Sequence, residues 1–424
     1  MLKLDPQKEA THLSKVAETK GAYFMRMFDV RWNDLEPEKG KFDWTITDLG
    51  MQFANREEIY FLSIVWPYAN WDQDTCHSGA RYESERPGEK GGNLKVGKPC
   101  DIAAYKNFLS KAVERYDGDG IDDMLGLKYP VKYWEIMNEP EMQGGATGGM
   151  GEELKFFVGT PQEYLEILKA SYETIKVADH KAKVLHAGMA GMRQSFQEFW
   201  SPIYQEAAYY FDIANMHTIN TDTKRDDLYL IKFKKYLAKF SIANKPIWIT
   251  ETQYGELQKA PSDIREFNQL MARSTVFSLA QGADKLFYIE NWLFWNGMQD
   301  LKEKGEKPEE AKKDFGPKFQ KIDPDDPTQK TYLNLIDKVN SFDHPEILKE
   351  EYRENESDFD GASSLIGQYK FVKGDHVVYA LWGKAEIPSE IFGRVKVTDI
   401  YGNAKEIEAN DIDLTSDVIF VEKL

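Results

Sequence analysis

The chain has 424 residues, of which 42% are hydrophobic and 13% aromatic. This composition suffices for one large core and a smaller one, and it excludes disorder as a description of the whole chain. Lys and Arg number 54 against 71 Asp and Glu, a net charge of -17 that repels phosphate backbones and argues against nucleic-acid binding. Seven histidines and two cysteines are too few and too scattered for a zinc-ribbon or multi-histidine site, so no metal and no cofactor are expected.

No run of about 18 apolar residues occurs, which predicts that no helix spans a membrane. The opening MLKLDPQKEA lacks the apolar core of a signal peptide. Nothing in the sequence predicts a protein partner.

Along the first three quarters of the chain, short apolar runs alternate with longer amphipathic stretches. This alternation predicts an α/β fold of repeated βα units around a parallel sheet. The amphipathic stretches include those from Ile102, Pro161 and Ile264. The predicted strands begin at Ala22, Ile59, Val131, Lys183, Phe211, Lys245 and Lys285. Seven such strands nearly complete a (β/α)8 TIM barrel.

The opening helix, around Gln7 to Glu18, precedes the first predicted strand. Strand one of the barrel therefore either lies in Met1 to Leu4 or is absent from this chain. The eighth helix is expected from Thr328, which gives a barrel domain over 1–341. Period-two segments separated by Gly, Asp and Asn turns predict a small antiparallel, β-sandwich-like domain over 342–424, whose aromatic residues are expected in its core.

Two glutamates end predicted strands. Glu139 follows VKYWEIMN, and Glu251 follows PIWIT. Because the active site of a TIM barrel lies at the C-terminal ends of its strands, both glutamates are candidate functional residues. The alternative is that each is a salt-bridged carboxylate on the barrel rim.

The segments YWEIMNEPE and IWITETQYG resemble the two signature segments of glycoside hydrolase clan A, and MRMFDVRWNDLEPEKGKFDW resembles a strand-two segment of several families in that clan. The resemblance is to the family-five and family-thirty-nine enzymes, without a decisive match to either. It implies a retaining glycoside hydrolase that cleaves β-linked oligo- or polysaccharide by double displacement, with Glu139 as acid/base on strand four and Glu251 as nucleophile on strand seven. The retaining mechanism predicts carboxyl groups about 5 Å apart and a pKa of Glu139 raised by its ionised partner and by partial burial.

The same resemblance assigns supporting roles. Asn138 would bind the sugar 2-hydroxyl, the alternative being a backbone-capping amide. Arg26 would hold the nucleophile ionised, the alternative being a charge within the barrel layers. His217 stands where the clan often has a histidine followed two residues later by tyrosine; here Ile219 departs from that pattern, so Tyr254 is the candidate for the hydrogen bond to the nucleophile.

Tryptophans at or just after predicted strand ends could stack on the apolar face of a pyranose, with barrel-top packing as the alternative. The substrate-binding candidates are Trp32, Trp66, Trp292 and Trp295. They exceed the needs of one subsite, which favours an open cleft and endo action.

Cys76 and Cys100 bracket a long excursion after the strand from Ile59. They either pair, which would close that loop and favour an oxidising compartment, or are two free thiols. An extracellular location is favoured, with a signal peptide absent from this chain, and a cytoplasmic location is the alternative. The alternatives on function are an exo-acting β-glycosidase of xylosidase or galactosidase type on short glycosides, and a catalytically idle carbohydrate-binding barrel.

Overall fold

A computed structural model describes residues 24–84, 94–145, 154–255, 261–289, 325–340, 342, 344–357 and 360–424. Within these ranges the chain forms two compact units. The first contains the described residues up to His217 together with Leu237–Thr250, and the second contains Thr218–Tyr236 and the described residues from Glu251 onward. The domain boundary that the sequence places at residue 342 stays a prediction.

Among the described residues up to Val339, the longer strands are separated by helices, as the hydrophobic periodicity predicts. Local sequence explains where two of the helices begin. Thr160 and Glu163 form a reciprocal capping box around a proline at the first helical position, and the Asp101 side chain accepts a hydrogen bond from the Ala104 amide. In chain order the elements are β1 (Phe24–Arg31), α1 (Trp32–Leu35), α2 (Thr45–Glu57), β2 (Tyr60–Trp66), α3 (Asn70–Gln73), β3 (Glu83–Ser84), β4 (Leu94–Lys95), α4 (Ile102–Tyr116), β5 (Tyr133–Asn138), α5 (Pro161–Ala178), β6 (Lys183–Gly188), α6 (Gln194–Glu206), β7 (Ala214–Thr221), α7 (Leu230–Ala238), β8 (Ile247–Tyr254), α8 (Ile264–Ala280), β9 (Lys285–Tyr288) and α9 (Pro327–Val339).

The long strands follow one another in space in the same order as in the chain. One sheet has the order β1-β2-β5-β6 with parallel pairing, and a second has the order β7-β8-β9. Parallel bridges from Leu185 to Ile213 and from Met189 to Met216 continue the pairing of β6 onto β7. Strands β2, β5 and β6 are buried along nearly their whole length, which is typical of parallel strands covered on both faces.

Within the described residues, β5 is third and β8 sixth in this run of strands. The described strands do not close a ring. The expected strand one and the helix from Gln7 to Glu18 lie outside the described residues, so an eight-stranded barrel stays a prediction.

The C-terminal strands form an antiparallel sheet of the order β10-β11-β12-β15-β13-β14. The sequence predicts a sandwich-like domain, whereas hydrogen bonding through β15 joins all six described strands into one sheet. Tyr379 and Trp382 are buried, as expected from the period-two pattern, whereas Tyr401 is only partly buried. Gly367 leaves the space that the Trp382 ring occupies. These strands are β10 (His344–Glu354), β11 (Ala362–Lys373), β12 (His376–Trp382), β13 (Arg394–Thr398), β14 (Ala404–Glu408) and β15 (Ile419–Lys423).

Among the described residues, no helix combines the length and the apolar character that crossing a membrane requires.

Candidate active site

The backbone is strained where β5 ends. Met137 has φ 70° and Glu139 has φ 38°, the left-handed region that side chains other than glycine rarely adopt. Each such residue costs on the order of 1–3 kcal/mol and persists only where its surroundings hold it. Asn138 lies between them, and both Asn138 and Glu139 are 6% exposed. The surroundings therefore hold this strand end and its two polar side chains in one arrangement, and strain of this kind is common at functional sites.

An ion pair orients Asn138. Arg26 Nε donates to Glu135 Oε2 at 2.6 Å, and its Nη2 donates both to Glu135 Oε1 at 2.8 Å and to Asn138 Oδ1 at 2.7 Å. Glu135 is fully buried and also accepts from the Gly188 amide at 3.2 Å. Because Arg26 engages Oδ1, the amide nitrogen of Asn138 is the end left to donate to another group.

His217 contacts Glu139 from β7. Its Nδ1 lies 2.7 Å from Glu139 Oε1, and its Nε2 lies 3.0 Å from Thr250 Oγ1. The imidazole packs directly on Gly188, since a Cβ at that position would lie 1.9 Å from Nε2. His217 is fully buried, so its contact with Glu139 is shielded from water.

Glu141, which the sequence interpretation did not single out, is a second buried acid in the loop after β5. It is 5% exposed, and its Oε1 accepts from the Ala190 amide at 2.6 Å. Burial raises the pKa of its carboxyl to about 8, and the charge of Glu139 acts in the same direction. Glu141 is therefore largely protonated at neutral pH. In the sequence, the signal for this residue is that Glu141 is the second acid in the segment NEPE.

Glu251 belongs to the second compact unit, where it lies within β8 and is partly exposed. Tyr254 ends the same strand and is fully buried, with its hydroxyl 2.7 Å from Ser274 Oγ on α8. This contact joins the Tyr254 hydroxyl to the helix, and the expected hydrogen bond between Tyr254 and the nucleophile stays a prediction.

The predicted tryptophans differ in their surroundings. Trp32 is fully buried in the core, packs on Phe108 and donates from Nε1 to Glu36 Oε2 at 2.6 Å. Trp66, at the end of β2, is 5% exposed, and its buried Nε1 has no hydrogen-bond partner in the described part of the chain. Trp66 thus retains an unused donor at a strand end, whereas Trp32 does not. Trp292 and Trp295 lie outside the described residues.

Cys76 and Cys100 form a disulfide, with Cα atoms 5.9 Å apart. A separate group of carboxylates, Asp117, Asp119 and Asp123, has oxygens within 4.8 Å of one another. These oxygens accept hydrogen bonds from backbone amides of the same loop, which accounts for their grouping without an ion.

No sequence-family model matches the chain, and no curated protein sequence matches it. Solved structures do match. A family 39 glycoside hydrolase from Bacteroides cellulosilyticus WH2 superposes with a TM-score of 0.59 at 14% identity, over 100% of this chain and 80% of that one. A GH39 β-xylosidase from Caulobacter crescentus gives 0.56 at 12% identity, over 98% and 92%. A GH51 α-L-arabinofuranosidase from Thermotoga petrophila RKU-1 gives 0.55 at 11%, over 99% and 90%.

The chain therefore has the fold of the clan A glycoside hydrolases. Within that clan, its structural neighbours include members of families 39 and 51.

Proposed function

We propose that the chain is a retaining glycoside hydrolase with Glu139 as acid/base and Glu251 as nucleophile. The observation that carries the proposal is the end of β5, where strained backbone and a buried histidine hold a buried glutamate in one orientation. The fold adds support, because parallel strands of this kind bring their carboxyl ends to one edge, where TIM-barrel active sites lie. The paired segments containing Glu139 and Glu251 add the resemblance to clan A.

Glycoside cleavage requires two carboxyl groups with different protonation states. In the first step the Glu251 carboxylate attacks the anomeric carbon and the glycosidic bond breaks. The leaving oxygen keeps the electron pair of that bond and accepts the proton of Glu139. In the second step the Glu139 carboxylate removes a proton from water. That water then displaces Glu251 from the anomeric carbon, which restores both groups. A separation of about 5 Å between the two carboxyl groups stays a prediction.

Asn138 and Trp66 are the proposed sugar contacts among the described residues. Arg26 fixes Oδ1 of Asn138, so Nδ2 is the donor that would meet the sugar 2-hydroxyl. The Nε1 of Trp66 is buried and without a partner, and a sugar hydroxyl would satisfy it. The roles of Trp292 and Trp295 stay predictions.

The substrate class proposed is a β-linked oligo- or polysaccharide. Exo action on short β-glycosides is the second candidate, because a neighbouring structure of the same fold is a β-xylosidase. A carbohydrate-binding protein without catalysis is the remaining alternative, and retention of both glutamates argues against it.

A panel of aryl β-glycosides, including pentosides, and β-linked polysaccharides tests the proposal. Glu251→Ala should abolish turnover, whereas Glu139→Ala should lose about 10²–10⁴-fold on substrates with poor leaving groups and far less on activated ones. Azide should rescue both variants and give opposite anomers of the glycosyl azide. In Glu139→Ala it attacks the glycosyl-enzyme in place of water and gives the β-anomer, and in Glu251→Ala it attacks the substrate in place of the nucleophile and gives the α-anomer. Glu198→Ala, at an exposed helical position, is the matched control.

If no glycoside is cleaved, the enzyme assignment is wrong, and saccharide binding by calorimetry would then favour the idle barrel. Full activity in Glu251→Ala would remove the nucleophile assignment alone.

A further inference from the structure

A chain of hydrogen bonds joins Glu139 to the backbone of β6. Glu139 Oε1 lies 2.7 Å from His217 Nδ1, and His217 Nε2 lies 3.0 Å from Thr250 Oγ1. Thr250 Oγ1 donates to Asn215 Oδ1 at 2.8 Å. Asn215 Nδ2 in turn lies 3.3 Å from the His186 carbonyl oxygen. All of these side chains are buried, which makes an unmade hydrogen bond costly.

The direction of each hydrogen bond follows from the fixed end of the chain. The His186 carbonyl can only accept, so the group of Asn215 that faces it is the NH₂, and Oδ1 faces Thr250. The single hydroxyl hydrogen of Thr250 is used on that Oδ1. The Thr250 oxygen therefore accepts from His217, and Nε2 of His217 carries a hydrogen.

The second neighbour of His217 Nε2 favours the same assignment. Glu135 Oε1 lies 3.9 Å from this nitrogen, and Arg26 pairs with the Glu135 carboxylate. Thr250 Oγ1 and Glu135 Oε1 are both oxygens that can accept a hydrogen bond from Nε2. In the neutral imidazole, the hydrogen on Nε2 leaves Nδ1 with a lone pair.

We propose that His217, held as its Nε2–H tautomer by Thr250 and Asn215, is a positioning residue that shares one proton with Glu139 through Nδ1. The proposal rests on the acid/base role of Glu139 in the proposed function. The tautomer decides whether His217 favours the protonated or the ionised form of Glu139. A lone pair on Nδ1 accepts a hydrogen bond from protonated Glu139 and stabilises the acid form. A hydrogen on Nδ1 would instead donate to the carboxylate and stabilise the base form.

The proton balance serves both halves of the reaction. Before cleavage the pair holds one proton. When the leaving oxygen takes this proton from Glu139, the hydrogen bond from Glu139 to Nδ1 breaks. The carboxylate left behind faces the lone pair of Nδ1, and their repulsion increases its basicity toward the water of the second step. Taking the proton from that water restores the hydrogen bond between Glu139 and His217.

The other titratable groups near this pair have defined places. His186 is kept neutral because burial lowers its pKa to about 3, and Asn215 N donates to its Nε2 at 3.1 Å. Glu141 is a further buried acid, and the charge of Glu139 helps to raise the pKa of its carboxyl. Glu251 is placed at the same site by the proposed function.

The tautomer itself can be measured without any substrate. Long-range ¹H–¹⁵N spectra distinguish the two neutral tautomers of each of the seven histidines, and the signals of His217 are assigned by their loss in His217→Asn. We expect the Nε2–H pattern for His217 in the wild-type protein. A neutral Nδ1–H pattern would overturn the proposal, and this readout also decides the case if a variant fails to fold.

Thr250→Val tests the function of the tautomer, because it removes the acceptor of Nε2 at nearly constant volume. The neutral Nδ1–H form should then compete, moving the basic limb of the kcat/KM profile to lower pH by about one unit. Turnover of poor leaving groups should fall by about tenfold or more, and activated aryl glycosides should be little affected.

Two variants serve as controls. Thr250→Ser keeps the hydroxyl and should restore the wild-type pH profile. Thr252→Val removes a buried hydroxyl on the same strand that has no hydrogen-bond partner in the described part of the chain, and should leave the profile unchanged.

The outcomes separate the two proposals. A folded Thr250→Val protein with the wild-type pH profile and leaving-group dependence would refute the role of His217 while leaving the proposed function intact. A wild-type protein that cleaves no glycoside refutes the proposed function, and with it the role of His217, even if the Nε2–H tautomer is observed.

Discussion

Glu141 should make the stability of the protein depend on pH above neutrality. Burial raises the pKa of its carboxyl from 4.5 to about 8, the Ala190 amide opposes this shift, and the charge of Glu139 adds to it. A carboxyl with a raised pKa binds its proton more tightly in the folded state. Its contribution to stability is therefore fully present below pH 4.5 and is lost as the pH rises through about 8.

The rise in the pKa of Glu141 from 4.5 to about 8 corresponds to about 5 kcal/mol of unfolding free energy. Glu141→Gln tests it, because the amide keeps an oxygen for the Ala190 N–H and cannot ionise. At pH 4.5 the variant and the wild type should have similar stability, whereas at pH 9 the variant should be more stable by several kcal/mol.

The assay is thermal unfolding followed by near-ultraviolet circular dichroism from pH 4.5 to 9. A difference of about 5 kcal/mol should separate the midpoints by about 10 °C or more at the alkaline end. Glu198→Gln, on the exposed face of α6, should follow the wild type within about 0.5 kcal/mol at every pH. Parallel curves for Glu141→Gln and wild type across the whole range would refute the reasoning.

Two further predictions concern the disulfide and the tryptophans. Replacing Cys76 and Cys100 by serine opens a loop with a sequence separation of 24, which should cost about 3 kcal/mol and lower the thermal midpoint by several degrees; an unchanged midpoint would contradict this. Trp32→Phe should lower stability more than Trp66→Phe, because the Trp32 indole N–H bonds a buried carboxylate, and only Trp66→Phe should also raise KM. A raised KM in Trp32→Phe with the larger loss of stability in Trp66→Phe would contradict the assignment of Trp32 to the core and of Trp66 to the sugar.

The sequence predicted the parallel strands well, and the reason is physical. Strands covered on both faces need unbroken apolar, β-branched or aromatic runs, which stand out against amphipathic helices. The runs expected from Ile59, Lys183 and Lys285 correspond to strands that begin at Tyr60, Lys183 and Lys285. The sequence does not predict how the C-terminal strands group into sheets. Alternation of apolar and polar residues predicts strands and a buried face, but not which strands pair.

Side-chain direction at a strand end could not be read from the sequence. Trp32 was a candidate for stacking on a sugar, with packing in the barrel as the alternative. In the structure α1 begins at this residue and its ring lies in the core, where Glu36 accepts its N–H. That direction depends on the path of the chain after β1 and on contacts distant in sequence.

The sequence also contains a signal for the pairing of Arg26 with Glu135. Arg26 and Glu135 are opposite charges within otherwise apolar strand segments, which is costly unless the two are paired. Their strands are not adjacent in the sheet, because β2 lies between β1 and β5. Strand pairing alone therefore would not have brought the two side chains together.

The covalent intermediate tests the central claim most directly. The protein would be incubated with a panel of 2-deoxy-2-fluoro-β-glycosides that carry activated leaving groups. The fluorine slows both the formation and the hydrolysis of the glycosyl-enzyme, and the activated leaving group makes its formation fast again, so the intermediate accumulates. Intact mass and peptide mapping would then locate any adduct. The account predicts one glycosyl group, attached to Glu251, formed by the sugar of whichever glycoside the enzyme cleaves. An adduct on a different residue, or efficient turnover with no adduct from the matching sugar, would contradict it.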